Sequence, residues 1–180
     1  DTMKSKLESK EFDDMTNENI FDQQFWKEAW DNDPNTQDKR MKRAGLGQPD
    51  APGFETWAEN FNKNSFTEES QKRVKRIMSW IQNQTGGFEN LSILDVGAAS
   101  GVFSIPFSKE SAKVTSLEPS SILHDMLKDN AQHYGVEIEA INESFENIET
   151  TEIKKFDLVF ASMCPAVTTW ETVEKAIDIA

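Results

Sequence analysis

The stretch Ile93-Leu94-Asp95-Val96-Gly97-Ala98-Ala99-Ser100-Gly101 constrains this chain more than any other. Ile93, Leu94 and Val96 read as a buried strand. The small residues after Asp95 leave no side chain in the way of a ligand. Val102, Phe103, Ile105 and Phe107 then form an apolar face with helical spacing. A strand, a small-residue turn and a helix N-terminus make a nucleotide-type site. Backbone approaches the ligand there, and free N–H groups attract its negative end. The same residues also read as a tight strand–helix turn with no ligand, so the rest of the chain must decide.

Beyond the turn the pattern is β-α alternation. Strands are predicted over 92–96, 113–118, 136–141 and 156–161. Helices are predicted after Gly101, over 120–133, as a short turn over 144–148, and from about 169 onward. Leu123, Met126, Leu127 and Ala131 point inward on the second of these helices, and Val173, Ala176, Ile177 and Ala180 share a face on the last. Such units imply an α/β fold, a parallel sheet with helices on both faces. Ligands of open α/β sheets bind at the C-terminal ends of the strands. Four segments meet there: Gly97 to Gly101, Glu118-Pro119-Ser120, Asn142-Glu143-Ser144 and Ser162-Met163-Cys164-Pro165. A carboxylate at Glu118, ending the second strand, accepts two hydrogen bonds from the vicinal hydroxyls of a ribose. The ligand then carries a nucleoside. The plainer alternative is a solvated strand end.

The residues before the first strand are helical in pattern. Residues 1–14 are charged and read as frayed or disordered. Ile20, Phe21, Phe25, Trp26 and Trp30 form an apolar stripe over 16–30, and Lys39, Arg40, Lys42 and Arg43 a small basic cluster, most simply a solvated face. A second helix spans 54–61 with Trp57 and Phe61. Ser65-Phe66-Thr67-Glu68 resembles a capping box. It opens a longer helix with Val74, Ile77, Met78 and Ile81 inward and Lys72, Arg73, Lys75 and Arg76 on its wet side, ended by Gly86-Gly87. The domain boundary is placed at 85, with 1–85 a helical extension and 86–180 the ligand domain.

Composition narrows the classes. A net charge of −13 opposes non-specific binding to DNA and to anionic membrane. No apolar run is long enough to span a bilayer, and the N-terminus has no apolar signal core. One cysteine, Cys164, excludes an internal disulfide and suits a cytoplasmic location. His124 and His133 do not share a helix face, so no metal site is expected. The G-x-G-x-x-G spacing of dinucleotide oxidoreductases is absent, the three positions being Gly97, Ala99 and Val102.

ILDVGAASG, VTSLEPS with Met126-Leu127, and FDLVFAS together resemble the class I S-adenosylmethionine-dependent methyltransferases, over about Trp57 to the C-terminus. Ala99 stands where that family often has its middle glycine. The resemblance implies a Rossmann-like methyltransferase fold with S-adenosyl-L-methionine as cofactor. Asp95 would lie near the methionyl ammonium, and Gly97, Ala98 and Gly101 would line the methionine. Glu118 would hold the ribose, Pro119 and Ser120 flank the adenine, and Glu143, Ser144 and Phe145 reach its amino edge. Ser162 and Met163 would lie beside the sulfonium. Trp57, Phe61 and Cys164 are the candidate acceptor contacts. Helix packing for the two aromatics and a small buried role for the cysteine are the ordinary alternatives. The implied reaction is in-line methyl transfer to a small-molecule acceptor with no catalytic base identified. A non-catalytic nucleoside-binding or regulatory protein of the same fold is the alternative. The partners implied are that acceptor, no DNA and no membrane, with a homo-oligomer left open. The family's sheet has seven strands in the order 3-2-1-4-5-7-6. Four are legible here, so the C-terminal strands are expected to be missing and the fourth strand to form an apolar edge. Four of the five tryptophans precede the first strand, which suggests helices packed over the cofactor end of the sheet.

Overall fold

The computed structural model describes residues 53–149, 153–164 and 170–180. The segment 1–14, the helix predicted over 16–30 and the basic cluster at 39–43 lie outside the described residues. The chain divides into two compact units, and every described residue belongs to the one spanning 37–180. Two helices come first, α1 (Phe54–Ser65) and α2 (Glu68–Thr85). They share this unit with the sheet, whereas the sequence placed them in an extension ending at 85. Then come β1 (Ser92–Val96), α3 (Ser104–Lys109), β2 (Lys113–Leu117), α4 (Ser121–Tyr134), β3 (Ile138–Ile141), a 3-10 turn (Phe145–Asn147), β4 (Leu158–Ala161) and α5 (Trp170–Asp178).

The sheet is parallel throughout, in the order β3-β2-β1-β4. Centrality explains β1. Ile93, Leu94, Asp95 and Val96 are all buried, because each side of the strand is paired and each face is covered. Ile93 faces a core with Val74, Met78, Ile81, Phe103 and Phe107, while Leu94 and Val96 face one with Leu117, Phe145, Phe156 and Ile179. Asp95 alternates onto the Ile93 face, toward α3.

The strands are shorter than their apolar runs, for identifiable reasons. The Val136 N–H donates to the Ala131 carbonyl in the left-handed Gly135 cap of α4, so β3 begins only at Ile138. The Phe156 N–H donates to the Ile179 carbonyl, so β4 begins at Leu158. Asp157 ties the start of β4 to the start of β1, its carboxylate accepting from both the N–H and hydroxyl of Ser92 at 2.8 and 2.6 Å. Those bonds hold its pKa below the usual carboxylate value.

Two helix expectations are corrected. The N-cap of α2 is Thr67, whose hydroxyl accepts the Ser70 N–H, while Ser65 is the buried last residue of α1. The helix α1 extends four residues past the predicted Phe61, so the capping pattern shifts by two. On α5 Thr172 is buried and the expected Val173 and Ala176 are half-buried, and Ile179 just past the helix end is buried, whereas Ile177 is 63% exposed and Ala180 is exposed. Among the described residues β4 pairs only with β1, and its Leu158, Val159 and Phe160 are half-buried. No helix among the described residues is long and apolar enough to cross a membrane.

Candidate functional site

The turn after β1 is built against β2. Parallel pairing runs on past the strand end, and the N–H groups of Gly97 and Ala98 both donate to the Leu117 carbonyl at 2.9 Å. The Ala99 N–H donates to Glu118 Oε2 at 2.7 Å, and the Gly101 N–H to the Ala98 carbonyl at 2.9 Å. The expectation of free N–H groups aimed at a ligand's negative end is therefore corrected at these four residues. The helix α3 begins only at Ser104 and has no side-chain cap. Gly97, Ala99 and Gly101 all have positive φ, at 68°, 49° and 88°. The left-handed region strains Ala99 and suits the glycines.

Two buried carboxylates flank this turn. Glu118, 5% exposed, immediately follows β2, and its Oε1 accepts the Ser120 N–H at 2.9 Å while Oε2 holds Ala99. The carboxylate is thus oriented by backbone from both loops. Asn142 fixes the same loop from β3, donating to the Glu118 and Pro119 carbonyls at 2.8 and 3.2 Å. Ser120 caps α4 by accepting the Leu123 N–H. Asp95, 3% exposed, accepts from the Ser104 hydroxyl at 2.6 Å, which accepts from Ser116 at 2.8 Å. Among the described residues no cation pairs with Asp95. Burial pushes its pKa up to about 7 against the pull of the Ser104 bond, with the Glu118 charge adding to the rise.

The other predicted residues fall into three groups. Ser162, Met163 and Cys164 come after β4, and a Cβ added at Gly97 would overlap the Cys164 Sγ, so this loop lies on the turn. Glu143 is engaged locally, accepting from the Ser144 N–H and Asn147 Nδ2 at 2.8 Å each, which lowers its pKa. The Phe145 side chain is 1% exposed and belongs to the core with Leu94 and Leu117, which leaves its backbone as the part a ligand could reach. Trp57 and Phe61 stack at 5.2 Å and pack with Ala99, Ile122 and Met126 around Phe54, Ala58 and Leu123. They are therefore beside the turn and also helix-packing residues.

Several residues of the site escaped the sequence. Asn130 on α4 donates to both Asn62 Oδ1 and the Ser100 carbonyl, at 2.8 and 2.9 Å, so it ties α1 to the turn. Ser100 is fully buried, and its hydroxyl has no hydrogen-bond partner among the described residues. The Ser116–Ser104–Asp95 chain depends on the β1–β2 register, which no local pattern reports. Arg73, read as part of a wet face, reaches the loop after β4, its Nη2 lying 3.2 Å from Met163 Sδ.

Residues 93–179 match the family described as a methyltransferase domain. A ubiquinone biosynthesis O-methyltransferase of Salmonella newport is 27% identical over 82 residues, 46% of this chain and 34% of that protein. The chain thus spans about a third of the length of the curated relatives it matches. The fold is shared with two solved structures. A putative S-adenosylmethionine-dependent methyltransferase of Methanococcus maripaludis has a TM-score of 0.55 at 23% identity, over 68% of this chain and 55% of that one. The magnesium protoporphyrin IX methyltransferase of Synechocystis PCC 6803, solved with bound S-adenosylmethionine, has a TM-score of 0.50 at 16% identity, over 86% of this chain and 71% of that one. Residues 93–179 thus match a methyltransferase domain, and the β3-β2-β1-β4 sheet that carries them has the fold of these S-adenosylmethionine-dependent methyltransferases.

Proposed function

We propose that this chain binds S-adenosylmethionine at the C-terminal ends of β1 and β2 and transfers its methyl group to a small-molecule acceptor by in-line displacement. The observation that carries the reading is the character of the turn. Its N–H groups at Gly97, Ala98, Ala99 and Gly101 are already engaged, and Asp95 and Glu118 are buried beside it. A pyrophosphate would meet two carboxylates and few donors there. A ligand with an ammonium and a ribose would meet acceptors for both.

The residues present fit that group. Asp95 carries a carboxylate whose ionised form burial disfavours, and a ligand ammonium would stabilise it. Glu118 is a buried carboxylate held at the turn by the Ala99 and Ser120 N–H groups, an acceptor of the kind that ribose hydroxyls require. The buried Ser100 hydroxyl offers one further polar group at the turn. When bound, S-adenosylmethionine supplies an electrophilic methyl group. The chain contributes alignment and exclusion of water, through the loop 162–164 on one side and Trp57 and Phe61 on the other. Gly97, Ala98 and Gly101 offer backbone to the methionine, with Pro119, Ser120, Glu143 and Ser144 around the adenine. A cytoplasmic location suits the single cysteine.

Calorimetric titration of S-adenosylmethionine and S-adenosylhomocysteine tests the reading. Glu118→Ala should weaken both about 10- to 100-fold through the lost ribose bonds. Equal affinity in wild type and variant would remove the ribose assignment, and tighter binding of NAD than of either would remove the family's cofactor from this chain.

A further inference from the structure

The helix α2 begins at the ligand end of the sheet, and its Arg73 is exposed there, with Nη2 at 3.2 Å from Met163 Sδ. Met163 lies two residues past β4, is 64% exposed and has a φ of 54°. Its neighbour Cys164 covers Gly97. The guanidinium is therefore connected to the glycine turn through a single loop. A thioether is a weak, uncharged acceptor and leaves the cation's charge unanswered. Among the described residues no carboxylate pairs with Arg73, whereas the adjacent Lys72 lies 3.9 Å from Glu68 and 3.0 Å from Glu69. The chain as a whole carries −13, so an anion approaching this site must find a local cation. A guanidinium presents a planar fork that matches a carboxylate with two parallel hydrogen bonds.

We propose that Arg73 binds an anionic group, a carboxylate, on the methyl acceptor, so that this site selects small acids over their neutral analogues. The proposal rests on the methyltransferase reading above and adds the acceptor class to it. Met163 then serves as the apolar rest on which the arginine waits, and the acceptor's carboxylate replaces the sulfur as its partner. A purely packing role for Arg73 predicts instead that any side chain of similar length would do.

The experiment loads the protein with S-adenosylhomocysteine and titrates matched acid and amide probes: salicylate and salicylamide, thioglycolate and thioglycolamide, glycine and glycinamide. At least one acid should bind about tenfold or more tightly than its amide, the discrimination of one charge-assisted pair. Arg73→Gln, which keeps hydrogen-bonding capacity on a shorter stem without the charge, should reduce that ratio to within about twofold of unity, and Arg73→Lys should keep part of it. Affinity for S-adenosylhomocysteine should change far less than the acid preference, because Arg73 is exposed and meets the cofactor residues only through the Met163 side chain. Equal binding of acid and amide in every pair, no binding of either, or an acid preference that survives in Arg73→Gln would overturn the proposal. Failure to bind S-adenosylhomocysteine in the first titration is a separate result. It would overturn the methyltransferase reading, and the acceptor proposal with it.

Discussion

Asp95 sets the pH behaviour of the site. Its folded pKa is about 7 against an ordinary value of 3.8, chiefly because burial penalises the charged form. Between those values the native state holds a proton that the unfolded state has released. Its contribution therefore favours folding below pH 3.8 and is lost as pH rises toward 7. From pH 5.5 to pH 8 this group alone should cost about 2 kcal/mol. Asp95→Asn keeps an acceptor for Ser104 and should flatten that part of the pH–stability curve, measured by urea unfolding; identical slopes in variant and wild type would contradict it. A ligand ammonium beside Asp95 would expel the proton, so binding near pH 6 should release protons, seen as a buffer-dependent calorimetric enthalpy. At the same turn, Ala99 holds a φ of 49° that glycine adopts without strain, so Ala99→Gly should stabilise by roughly 1 kcal/mol. The strand-end carboxylates and the small-residue turn were legible in the sequence because a strand's end and a turn's composition are local signals. Ser104, Ser116, Asn130 and Arg73 were not, since their partners lie 9 to 90 residues away and are chosen by packing.

At the scale of elements, apolar periodicity located each described helix and strand, and the errors fall where backbone hydrogen bonds override it. The cap of α2 is one such case: Ser65 and Thr67 are both good capping residues, and the longer α1 consumes the first. Thr67→Ala should cost about 1 kcal/mol by chemical denaturation, while Ser65→Ala should not act as a cap deletion. The helix α5 is the other. Periodicity cannot choose between Ile177 and Ile179 as the inward residue. The choice is made by Phe156 and Lys155, which bond the Ile179 and Asp178 carbonyls at 2.8 and 2.6 Å and dock the helix end on the sheet. Ile179→Ala should then cost roughly 2–5 kcal/mol, and Ile177→Ala less than about 0.5 kcal/mol. Comparable losses at both positions would return α5 to the face expected from sequence.

For the whole molecule, two electrostatic effects act in the same direction and can be separated by salt. The net charge of −13 makes the compact state repel itself, and protonating surface carboxylates relieves this as pH falls. Asp95 also favours low pH, but for a different reason: its penalty is desolvation in a buried site, assisted by Glu118. Mobile ions screen the first effect, since the Debye length falls to about 10 Å at 0.1 M and about 3 Å at 1 M. They cannot enter the sheet to screen the second. Added salt should therefore stabilise the protein at pH 8, where surface repulsion is greatest. The stability gained between pH 8 and pH 5.5 should shrink with salt to a remainder that Asp95→Asn abolishes. Urea unfolding of wild type and Asp95→Asn at those two pH values, in low salt and in about 0.5 M sodium chloride, measures both parts. A pH dependence that vanishes completely in high salt would assign it all to the surface and refute the raised pKa of Asp95. A dependence unchanged by salt would assign it all to buried groups.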